Sequence, residues 1–149
     1  LPDQTRAFFL ARGFDREAVE RIAQSCVFQT VFENTAQPGG PGALEYDLRD
    51  WVVQAGGRQQ GMMTREDWAA IWTERDAPKP ARIAFEWALF PTQQVYNPGD
   101  YNWGMSIFGL APGERFDLTL VWTQFGERHT ATIEEMQCAP DSPTAEATP

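Results

Sequence analysis

Three runs between positions 82 and 133 alternate apolar and polar residues with period two. Ile83, Phe85, Trp87 and Leu89 share one side of the first, Tyr101, Trp103, Met105 and Ile107 one side of the second, and Phe116, Leu118, Leu120 and Trp122 one side of the third. Successive side chains of a strand point to opposite faces, so each run predicts a half-buried antiparallel strand. Asn97-Pro98-Gly99-Asp100 and Ala111-Pro112-Gly113-Glu114 carry the residue types that reverse a chain between strands. A two-residue turn at Phe125-Gly126 sets Trp122 opposite His129, Leu120 opposite Ala131 and Leu118 opposite Ile133.

Upstream the period changes. Asp3 is placed to cap a short helix carrying Ala7, Phe8, Leu10 and Ala11, which Gly13 ends; Asp15 is placed to cap a second, with Val19, Ile22 and Ala23 at helical spacing. From Val27 to Phe32 the chain is β-rich, breaks at Gln37-Pro38-Gly39-Gly40-Pro41-Gly42, and resumes with Leu44, Tyr46 and Leu48. Trp51 and Val53 take the opposite phase, which predicts a bulge near Asp50. Gly56-Gly57 predicts a hairpin into a short strand ending near Met62. Thr64 with Asp67 three residues on predicts one inserted helix that buries Trp68, Ile71 and Trp72, with Met63 stapled against Trp68 and with Pro78 and Pro80 stopping it.

Seven or eight short strands, an inserted helix and two cysteines at the outer ends of the β region resemble an immunoglobulin-like antiparallel β-sandwich spanning 27–136, with a closed barrel as the rival. The resemblance is to the architecture alone: antibody-type domains join two central strands with a Trp between the cysteines, and this chain does not. It carries no activity with it. The expected organisation is one domain over 1–138, with helices in 1–25, and a Pro-, Ser- and Thr-rich disordered tail over 139–149.

At 149 residues the chain is long enough to sustain a core without a metal staple. A net charge of -9 with twelve dispersed basic residues gives no stripe to displace the counterions of a nucleic acid, and disfavours anionic lipid surfaces equally. No apolar run approaches the roughly 20 residues of a membrane span. Cys26 and Cys138 are too far apart for a short metal motif and are expected to pair, closing a loop worth about 4–5 kcal/mol in the chain-entropy account. A disulfide implies an oxidising compartment, so the chain reads as periplasmic or secreted. Its start at Leu1, without an initiator Met, is what a trimmed export signal leaves.

The chemistry-bearing residues are sparse. His129 is the one histidine, no serine stands in a G-x-S-x-G setting, and Gly39-Gly40-Pro41-Gly42 lacks the Lys-Ser/Thr ending of a phosphate loop. Thioether and imidazole ligands suit copper, and His129, Met62, Met63 and Met105 are the candidate set for that alternative. Tyr96, beside Pro98, and Phe90, out of phase with its neighbours, are the candidate partner-binding residues, whereas Tyr101 and Trp103 read as core. The chain is therefore expected to be an extracytoplasmic, non-catalytic binding or accessory domain without a cofactor, meeting a protein or glycan. A copper carrier is the alternative, and a small hydrolase the third reading.

Overall fold

A computed structural model of the protein describes residues 1–141. In chain order it contains α1 (Pro2–Leu10), α2 (Arg16–Ala23), β1 (Val27–Glu33), β2 (Leu44–Asp47), β3 (Val52–Ala55), β4 (Arg58–Gln60), α3 (Arg65–Glu74), α4 (Lys79–Ala88), β5 (Gln93–Tyr96), β6 (Tyr101–Ile107), β7 (Arg115–Gln124) and β8 (Glu127–Gln137). Among the described residues the protein is mainly β, with two antiparallel sheets and four helices. β1 and β6 form a two-stranded ribbon. The other six strands form one sheet around β7: β8 lies on one edge, while β2 and β3 follow one another along the other, flanked by β5 and β4.

The ribbon is a septum between two cores, because its alternate residues face opposite ways. Phe28 and Phe32 point into the larger core with Tyr46, Trp51, Tyr96, Phe108 and Phe116 of the six-stranded sheet and its connections. Val27, Met105 and Ile107 point into a second core built by the helices, with Phe9, Phe14, Trp68, Trp72 and Phe85. Both cores are aromatic. Phe32 stacks on Tyr96 with ring centroids 5.2 Å apart, and Phe14 meets Trp72 at 4.8 Å; such pairs add about 0.5–1.5 kcal/mol to area burial.

Local signals placed several elements. Thr64 and Asp67 form a reciprocal capping box at α3, Asp15 accepts from the Ala18 amide at 2.8 Å, and Gly56-Gly57 and Phe125-Gly126 join hairpins with all four residues at positive φ. The register of β7 on β8 is the expected one, with Trp122 opposite His129. Cys26 and Cys138 are bonded, with Cα atoms 5.2 Å apart.

Four expectations are corrected. The run 82–89 is helix α4 and not a strand: Pro80 sits in its first turn, where a missing amide costs nothing, and Ala81 and Phe85, four apart, are the buried pair. Pro78 and Pro80 thus open α4, while α3 ends by itself before Asp76 at φ 52°. The phase slip near Asp50 is a turn of 3-10 helix, Leu48–Asp50, set into a strand line in which Tyr46 faces Trp122 and Val52 faces Thr119. Asp3 lies inside the first turn of α1 rather than at its cap, and the large side chain α1 buries fully is Phe9. Asp141, within the segment expected as a tail, accepts from Arg6 and Gln24, each at 2.5 Å; positions 142–149 of that segment lie outside the described residues.

Candidate functional site

Tyr101, Trp103, Met105 and Ile107 occupy one face of β6, yet their exposures are 64, 65, 7 and 1 %. The helices cover only the Met105–Ile107 end, and the ribbon projects past them. Cross-strand pairing carries the uncovered end onto β1, where Val31 lies opposite Trp103 and is 68 % exposed.

The C-terminal end of α4 forms the other wall. Leu89 bridges to Met105, and the Phe90 amide donates to the Met105 carbonyl at 3.2 Å, so the chain leaving the helix is laid along β6. The approach needs Gly104, since a Cβ there would stand 3.0 Å from the Ala88 carbonyl oxygen. Between helix and ribbon runs a groove of about 550 Å³, whose larger side chains are Phe8, Arg12, Gln29, Trp87, Trp103 and Met105. Trp87 is 81 % exposed, and Ile83, one helical turn earlier, is also exposed. Arg12 is the charged side chain in the lining; its guanidinium lies 3.3 Å above the Phe8 ring centroid and donates to the Phe8 carbonyl at 2.8 Å. Both contacts hold the Arg12 side chain over Phe8.

Neither expected partner-binding residue is at the surface. Tyr96 is the inward residue of β5 and packs between Phe32 and Tyr46; Phe90 enters the larger core directly after α4. Burial there pushes the Tyr46 phenol well above its ordinary range, with Tyr96 adding to the effect. Tyr101 and Trp103, read as core, are exposed. The period was right, but alternation tells which face a residue takes and not whether another element covers that face.

The candidate copper ligands fall in three environments. Met62 packs in the larger core, Met63 and Met105 against the helical core, and His129 stacks on Trp122 at 5.6 Å. Among the described residues no group of three or more His, Cys, Asp or Glu side chains is placed to hold a metal ion. A second, polar cleft is lined by residues that include Arg49, Arg65, Glu66, Glu86 and Thr92: Thr92 donates to Glu66, Arg65 donates to the Leu89 carbonyl at 2.6 Å, and Arg49 pairs with Asp47 at 2.7 Å. That ion pair, chiefly by its side-chain hydrogen bonds, holds the Asp47 carboxyl down to about 2.

Comparison with protein-family models, with curated proteins and with solved structures gives no match to this chain. The open, aromatic groove is the ground on which function can be argued.

Proposed function

We propose that this chain is an extracytoplasmic, non-catalytic binding domain that docks a protein partner on the Trp87–Trp103 groove. One observation carries the reading: Trp87 and Trp103, 81 and 65 % exposed, line one groove, and Val31 and Tyr101, each more than 60 % exposed, lie on the same face of the ribbon as Trp103. Contiguous apolar patches of this kind mark interaction sites, and Trp and Tyr are the side chains that most often dominate binding energy. Val31 and Ile83 extend the patch with aliphatic surface, and only Gln29 and Arg12 bring polar side chains to the lining. A sugar platform requires more hydrogen-bonding groups around its rings, so the lining favours a protein over a glycan.

The disulfide supports an oxidising compartment, periplasmic or secreted. The net charge of -9 favours association with a partner of net positive charge. In this reading the facing sheets serve as an immunoglobulin-like scaffold, a comparison that rests on antiparallel pairing and a shared aromatic core.

A photoreactive amino acid placed at Val31 tests the proposal in the native cell. It should trap one discrete protein adduct that disappears in a Trp87→Ala/Trp103→Ala variant, while the same probe at exposed Val95 traps none. Equal adducts from both positions, or Trp-dependent binding to an oligosaccharide panel with no protein adduct, would contradict it.

A further inference from the structure

β8 is the longest strand, eleven residues, and among the described residues it pairs with β7 alone. Natural sheets blunt such edges with short strands, proline, lysine or bulges. β8 contains neither proline nor lysine. Its one irregularity lies near the far end, where the register shifts between the Leu118–Ile133 and Phe116–Met136 pairs and Glu135 takes φ 57°, its amide donating to Asp117 at 2.9 Å. The regular part of the edge therefore runs from the hairpin to Glu134.

The two-residue turn fixes which backbone groups are free. Gln124 and Glu127 close the hairpin, so the alternate residues His129, Ala131 and Ile133 bond to β7 and the backbones of Arg128, Thr130, Thr132 and Glu134 point outward. We propose that a second copy of this chain pairs antiparallel along that edge, about a two-fold axis through Ala131. This register sets Arg128 opposite Glu134 of the second copy and Thr130 opposite Thr132, and the symmetry makes each contact twice. Shifting by two residues either way sets Arg128 against a threonine or against Met136 beyond the bulge, so one register alone pairs opposite charges. On the other face it brings Ile133, 47 % exposed, against His129 of the second copy. Opposite charges and threonine pairs across strands are both favourable. The result is one sheet continuous through both copies, with the Trp87–Trp103 groove left open on the helical side.

Sedimentation velocity over a concentration series tests this. The unaltered chain should pass from monomer to dimer, and Arg128→Glu or Glu134→Arg alone, each of which sets two like-charged pairs in the seam, should raise the dissociation constant by about tenfold or more. Arg128→Glu/Glu134→Arg together should restore dimerisation. Arg128 and Glu134 are exposed, so the fold should survive, and hydrogen exchange supplies a second reading: amides of 128, 130 and 132 should slow as concentration rises. A chain that stays monomeric throughout, or a dimer unmoved by either reversal, overturns the proposal.

Discussion

Gly104 shows how one residue decides whether the groove exists. Its missing side chain lets the Ala88 carbonyl come within van der Waals range of β6, and that carbonyl is backbone, unable to swing aside. Gly104→Ala should therefore cost about 1–3 kcal/mol in chemical denaturation, as other overpacked sites do, and should displace the end of α4. A neutral substitution would mean that helix and ribbon are less closely joined than described. Nothing in the sequence around Gly104 announces this role. Trp87 and Phe85 illustrate the same limit: as a strand they would share one face, whereas two apart on a helix they point nearly opposite ways, and one is exposed while the other is buried.

Elements were legible where their determinants are local. The capping box of α3, the Asp15 cap and the glycine hairpins each lie within a few residues, and they stand as read. The run 82–89 was not legible because Phe85 and Leu89 satisfy a period of two and a spacing of four together. Only Pro80 in the first turn and the burial of Ala81 favour the helix. The joint between β2 and the 3-10 turn brings a pH dependence. Asp47 accepts from the Arg49 side chain and amide, which lowers its pKa from an ordinary 3.8 to about 2. A carboxyl depressed by folding adds stability above its unfolded pKa and loses it as pH falls through the folded one. Resistance to denaturant should accordingly fall between about pH 4 and pH 2, and Asp47→Asn should flatten part of that fall. An identical acid profile in the variant would exclude Asp47 as a contributor.

At the scale of the whole molecule, the ribbon has one face in the sheet core and the other shared between the helices and solvent. The disulfide binds the residue before β1 to the residue after β8, fastening ribbon and sheet together at the chain's entry and exit. Alternation along β6 revealed the face, but its division depends on where α1 and α4 stop, a matter of contacts far apart in sequence. The most direct test compares two positions on that one face by urea unfolding. Met105→Ala, inside the helical core, should lose about 2–5 kcal/mol, whereas Trp103→Ala, two residues earlier, should stay within about 0.5 kcal/mol of the unaltered chain. Equal, large losses from both would make Trp103 a core residue and leave no exposed aromatic face for a partner to dock on.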